Sequence, residues 1–169
     1  MAAPPKPLSV DIHTSVKDGD MAKVREFLEE GGDVNVRCRY RTIPLHRAAA
    51  YNHQDIASVL LDNGSDIEAS ASQDGVKHTP LFWAARRGHP DMVTFLLSKG
   101  AHINAQDKKE RTPLHEAARH GQKDTCALLL KRGAKRDTMD VDANEPGEDF
   151  EPSVPESVRT EIRSMIESA

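Results

Sequence analysis

The sequence predicts an all-α repeat solenoid, a row of short helix pairs stacked side by side. Three observations predict it. Thr79-Pro80-Leu81 and Thr112-Pro113-Leu114 open the same text 33 residues apart. Each copy carries the punctuation of two short helices: a Thr cap with Pro at the first helical position, a small apolar face, and a closing Gly88 or Gly121. Then comes a second apolar pattern closed by Gly100 or Gly133. Finally, aromatic residues make up only 4% of a chain that is 37% hydrophobic, so the core is aliphatic and alanine-rich. Such a core suits closely spaced helices.

Residues 1–9 are proline-rich and are expected to be disordered. A first unit, residues 10–35, has a short polar helix around Asp11 to Asp18. A better helix follows, on Met21, Val24, Phe27 and Leu28, stopped by Gly31-Gly32. Residues 36–68 form a second unit opened by Ile43-Pro44-Leu45-His46-Arg47-Ala48-Ala49. Ile43 takes the capping slot there, so a weaker cap is expected. Asn52 stands where the next unit has Gly88, and asparagine tolerates positive φ best among the other residues. A third unit, residues 69–104, carries three extra residues between Glu68 and Pro80. They are expected to lengthen a loop tip at the Asp74-Gly75 turn and leave the helix stacking alone. Residues 105–136 form a fourth unit with Leu128, Leu129 and Leu130 in its second helix.

The text Thr112-Pro113-Leu114-His115-Glu116-Ala117-Ala118, with Gly88-His89, Leu96-Leu97 and Gly100-Ala101, resembles the ankyrin repeat. The resemblance covers roughly residues 5–136. It implies an array of helix pairs with protruding β-hairpin loops. Arg41 and Glu110 sit where the family pattern has glycine, so altered hairpin turns are expected at both. The resemblance also gives the motif histidines a structural task, bonding to backbone and capping hydroxyls and tying neighbouring hairpins together. Those are His46 and His115, with Phe82 in the third unit's slot and His13 in the first's.

Residues 137–155 are acidic, a linker or a decayed repeat, with Pro146 still in register. A last amphipathic stretch, residues 156–168, places Val158, Ile162, Met165 and Ile166 on one side and is read as a capping helix. A detachable partner-binding helix is the competing reading of it. The acidic segment also has a reading in which it shields a basic face of its own chain.

Composition narrows the function classes. The 169 residues suit one soluble domain, with a formal net charge of -4. Cys38 and Cys126 fall in different units and are read as reduced thiols. No apolar run reaches membrane-spanning length, and Met1-Ala2-Ala3-Pro4-Pro5 does not read as a signal peptide, so a cytoplasmic or nuclear location is expected. The sequence contains no phosphate loop, HExxH pattern or nucleophile elbow. The histidines fall one per unit and would not converge on a metal. No enzyme, cofactor or metal is therefore expected.

The expected activity is protein–protein interaction by an adaptor, regulator or inhibitor. In the resembled family the slots after the motif histidine line a concave face. Here they hold Arg47, Trp83 and Glu116, then Tyr51, Arg86, Arg87 and Arg119. The hairpin tips add Arg39, Tyr40 and Lys108, with Arg37, Arg41, Lys77, Lys109 and Arg111 nearby. An exposed tryptophan among arginines fits a binding anchor, and packing flat against a neighbouring helix is the alternative for Trp83. A basic face suits a protein partner with an acidic surface, or is simply solvated. Nucleic acid is not expected, since the net charge is negative and no reader motif occurs. An assembly chaperone or structural subunit, using the basic face and the acidic tail, is the second functional reading. A monomer is expected if the last helix covers the terminal repeat.

Overall fold

The computed structural model describes residues 10–73 and 76–169. The disorder expected for residues 1–9 and the Asp74-Gly75 turn lie outside the described residues. The helices are α1 (Ile12–Asp18), α2 (Met21–Glu29), α3 (Pro44–Ala50), α4 (Gln54–Asp62), α5 (Pro80–Arg87), α6 (Pro90–Ser98), α7 (Pro113–Arg119), α8 (Lys123–Lys131) and α9 (Glu156–Ser168). Strands β1 (Ala71–Gln73) and β2 (Val76–His78) pair antiparallel, with Ala71 opposite His78. The chain is an all-α solenoid of stacked helix pairs.

Stacking runs along the inner helices, α1 on α3, α3 on α5 and α5 on α7. Their contact faces are small. Ala48, Ala49, Ala84, Ala85, Ala117 and Ala118 are all fully buried. Side chains this short let neighbouring helix axes approach closely. Leu45, Leu81 and Leu114 fill the same place in three successive pairs and are at most 1% exposed. Each contributes roughly 2 kcal/mol by leaving water. The outer helices close the other side with Val24 and Phe27, Ile56 and Leu60, Met92 and Leu96, and Cys126 and Leu129.

Left-handed residues stop the inner helices where the sequence places them. Asn52 has φ 60 in the slot where Gly88 has φ 69. The hairpin tips differ from expectation. Arg41 and Glu110 do not alter their turns but take the glycine conformation, at φ 58 and φ 61. Ala143 does the same at φ 64, 33 residues after Glu110. An aspartate at the turn's start supports the last two. Asp107 Oδ1 accepts from the backbone N–H groups of Lys109 (2.7 Å) and Arg111 (3.1 Å). Asp140 Oδ1 accepts from those of Asp142 and Asn144, both at 2.9 Å. The fold thus continues one hairpin past the fourth helix pair.

The three extra residues of the third unit fall at β1 and β2, and α5 still stacks on both α3 and α7. After Asn144 no inner helix forms. Residues 145–155 run as turns beside α7, and α9 packs on α8. Ile162 is fully buried and Ile166 is 5% exposed, which covers the apolar end of the stack.

Hydrogen bonds repeat in register and lock each pair to the next. His53 Nε2 donates to Lys17 O (3.2 Å), His89 Nε2 to Ala50 O (3.1 Å) and Gln122 Nε2 to Arg86 O (3.2 Å). Each satisfies a carbonyl at or beside the end of an inner helix. The fourth rung is filled by the acidic segment, where Glu151 N–H donates to Arg119 O at 2.8 Å.

Candidate partner-binding surface

Motif histidines were the residues most easily mistaken for chemistry, and their geometry is structural. His115 Nδ1 accepts from Thr112 N–H (3.0 Å) and lies 2.9 Å from the Thr112 hydroxyl, while its Nε2 reaches Asn144 O at 3.3 Å. His46 repeats the pattern, Nδ1 to Ile43 N–H (3.3 Å) and Nε2 to His78 O (3.0 Å). Burial pushes His46 down to about 4, so it is neutral at physiological pH. Where Phe82 replaces the histidine, the Thr79 hydroxyl is left without a partner, and Phe82 stacks on the His78 ring at 5.0 Å instead. Cys126 is fully buried, and that burial pushes its thiol up to about 12. Cys38 Sγ lies 2.9 Å from Thr42 Oγ1. Among the described residues no group of three or more His, Cys, Asp or Glu side chains gathers to hold a metal ion.

The open surface is centred on Trp83. The indole is half-buried and stands perpendicular to the His46 ring (6.4 Å between centroids, 86° between planes). On one side lies a cleft of about 190 Å³ lined by Tyr40, Thr42, His46, Arg47, Ala50, Tyr51, Trp83 and Arg87. On the other lies a broader hollow of about 540 Å³ lined by Trp83, Arg86, Arg87, His120 and Gln122. The two share Trp83 and Arg87, so they form one groove across three helix pairs. Tyr40 and Tyr51 are exposed at its aromatic end, 37% and 42% respectively. Arg39 lies 4.5 Å from the Tyr40 ring centroid and donates to its hydroxyl. Tyr51 stacks on His53.

Two N–H groups of the lining residues have no acceptor. Arg47 Nε and Trp83 Nε1 are buried from water and unpaired. Leaving such a donor unsatisfied costs about 1–3 kcal/mol. Unpaired buried donors are uncommon in folded proteins.

Of the predicted site residues, Tyr40, Arg47, Tyr51, Trp83, Arg86 and Arg87 come together in this groove, with Arg39 at its edge. Lys108 is exposed on a different hairpin tip. Glu116 does not reach the surface. It is 2% exposed and bound by Arg111 Nη1 (2.9 Å) and His120 Nε2 (3.5 Å). Arg111 is buried too, and its guanidinium also meets Asp107 at 2.8 Å, so it adds nothing to a basic face. His78 approaches the same Asp107 oxygen at 3.2 Å. Burial alone would raise both acids. For Asp107 the hydrogen bonds from His78 and Arg111 outweigh it, and for Glu116 the His120 hydrogen bond and the nearby cations do. Both are held at about 2.

Arg119 is also taken up within the chain. Asp149 (3.2 Å) and Glu151 (3.3 Å) clasp its guanidinium. The reading in which the acidic segment shields a basic side chain of its own chain meets the structure at Arg119.

A family model described as "Ankyrin repeats (3 copies)" matches residues 12–71 and 68–140. Among curated proteins, this chain is 36% identical over 97 residues to Palmitoyltransferase Hip14 of Drosophila melanogaster. It is 33% identical over 106 residues to Transient receptor potential cation channel subfamily A member 1 of the same organism. It is 34% identical over 87 residues to Potassium channel AKT1 of Oryza sativa subsp. indica. The matches cover 57%, 61% and 52% of this chain, but only 15%, 9% and 9% of those proteins. What is shared is a repeat segment within much longer and functionally different chains.

Proposed function

Because the chain belongs to the ankyrin-repeat family, whose fold is generally a protein-interaction scaffold, we propose that it is a non-catalytic module that binds a protein partner through the groove around Trp83. The observation that carries this is the shared cleft itself. Tyr40, Tyr51 and Trp83 stand beside Arg47, Arg86 and Arg87, and tryptophan, tyrosine and arginine dominate interface hot spots. Their slots repeat along the stack, and in the second and third units they open onto the groove, whereas Glu116 in the fourth is buried.

The palmitoyltransferase and channel chemistry of its relatives is not carried over, because the shared segment is a small part of each. No helix among the described residues is long and apolar enough to cross a membrane. An assembly role for the acidic tail is less favoured, since Asp149 and Glu151 are already engaged with Arg119.

The test is affinity capture with the wild-type chain and with the double variant Trp83→Ala, Arg86→Glu, with circular dichroism confirming that both are folded. The expected result is loss of the captured partner from the variant, at least about 30-fold for a hot-spot pair. Equal recovery would remove this face from consideration.

A further inference from the structure

Resting on that reading of the groove, we propose that its ligand is an extended segment of a partner protein in which one large aromatic or aliphatic side chain is flanked by carboxylates. The geometry of the two hollows argues for a ligand of two parts. The smaller, about 190 Å³, has walls of Tyr40, Tyr51, Trp83 and Ala50 and takes one large apolar side chain. The larger is shallow and presents Arg86, Arg87, His120 and Gln122, which only a polar, acceptor-bearing stretch of chain would match. Trp83 and Arg87 belong to both, so one continuous strand of ligand reaches both.

Charge selects the sign. An aromatic cleft alone would also suit a cation, which prefers the face of an indole or phenol ring. Arg47 and Arg87 line the aromatic cleft and would repel it. The ligand must also bring negative charge and acceptors for the exposed guanidinium groups of Arg86 and Arg87. Carboxylates and the carbonyls of an extended backbone supply both. The groove also has a defined end. Arg119 would extend the cationic row of Arg86 by one unit, but its own Asp149 and Glu151 neutralise it. Their charge turns the surface acidic there, so a run of carboxylates longer than the groove would be repelled.

Trp83 is the only tryptophan in the chain and reports on its own site. The probe is a blocked synthetic peptide, Glu-Glu-Gly-Phe-Gly-Glu-Glu, titrated against the full chain while the indole emission is followed. Two matched peptides accompany it, one with every Glu changed to Gln and one with Phe changed to Gly. The expected result is a saturable shift with half-saturation below about 1 mM for the first, and at least tenfold weaker binding of the other two. The variant Arg87→Glu, which alters no buried partner, should lose the acidic peptide and gain its lysine counterpart.

Equal binding of the glutamine peptide would overturn the charge requirement, and equal binding of the glycine peptide would overturn the anchor. Tighter binding of a single-stranded oligonucleotide would overturn the proposal in favour of nucleic acid. Self-association abolished by Arg87→Glu would overturn it in favour of a second copy of this chain. No response to the acidic peptide, combined with partner capture that still depends on Trp83 and Arg86, would overturn this ligand chemistry but leave the binding face standing. Failure of both would remove both.

Discussion

The second and fourth helix pairs place their side chains in equivalent slots and put them to opposite uses. In the fourth, Asp107, Arg111 and Glu116 form a buried chain of ion pairs, at 2.8 Å and 2.9 Å. In the second, the same slots hold Cys38, Thr42 and Arg47. Cys38 and Thr42 meet at 2.9 Å just as Asp107 and Arg111 do, but neither offers a charge. Arg47 therefore has no carboxylate to bind, and its Nε is left unpaired. The next slots repeat the contrast. Arg119 is clasped by Asp149 and Glu151, while Arg86 and Arg87 are exposed. An arginine with an acid in reach is bound into the structure; one without is left unpaired, as Arg47 Nε is, or exposed, as Arg86 and Arg87 are.

Breaking the closed end should have the largest effect. Glu116→Ala removes the carboxylate shared by Arg111 and His120, leaves Asp107 still holding the guanidinium, and should lower stability by about 2–3 kcal/mol, read as a fall in the urea midpoint. A loss below about 1 kcal/mol would mean that water reaches the network and that the two pairs are not so different.

Acid should reach the same contrast more gradually. Glu116, held at about 2 against an ordinary 4.5, contributes stability that is complete above pH 4.5 and lost as the pH falls toward 2. His46, held at about 4 against 6.5, acts earlier. Below pH 6.5 the unfolded chain takes a proton that the folded chain refuses, so stability falls until about pH 4. Each step is at most on the order of 3 kcal/mol. Urea midpoints measured from pH 7 down to pH 2.5 should show two declines, and Glu116→Gln should remove part of the lower one, with Asp107 carrying the rest.

Opening the closed end should cost less. Asp149→Asn with Glu151→Gln exposes Arg119 and should lower stability by under about 1 kcal/mol, because both pairs are partly exposed. The same variant should bind acidic peptides more tightly, as Arg119 joins Arg86. Arg87→Ala should change stability least, within about 0.5 kcal/mol, while weakening partner binding. A thermal melt and a titration separate the two effects.

The parts of this contrast were unequally legible in the sequence. The helix pairs, their register and the left-handed Asn52 follow from local chemistry, where residue type and spacing within one repeat decide the conformation. The pairing of Arg119 with residues 149 and 151 is decided between repeats, by how far one hairpin is offset from the next. Glu116 stood in the same slot as Arg47 and Trp83 and read as surface for that reason. Its one warning was nearby: Asp107 and Arg111 sit four apart and just upstream, a charge pair that the second unit lacks. The groove was legible as a set of slots, but not as two hollows joined at Trp83, because the cleft depends on side chains from different segments, Tyr40, Tyr51 and Trp83, coming to line one space.

Arg41, Glu110 and Ala143 hold their hairpin tips in a backbone shape that most side chains resist, at about 1 kcal/mol each. The array has therefore not spent its easiest route to greater heat resistance. Glycine at those three rims would relax the chain without moving a helix. The same tolerance makes the rims places where new side chains can be written in cheaply, so recognition can drift at the margin while the stack beneath stays as it is.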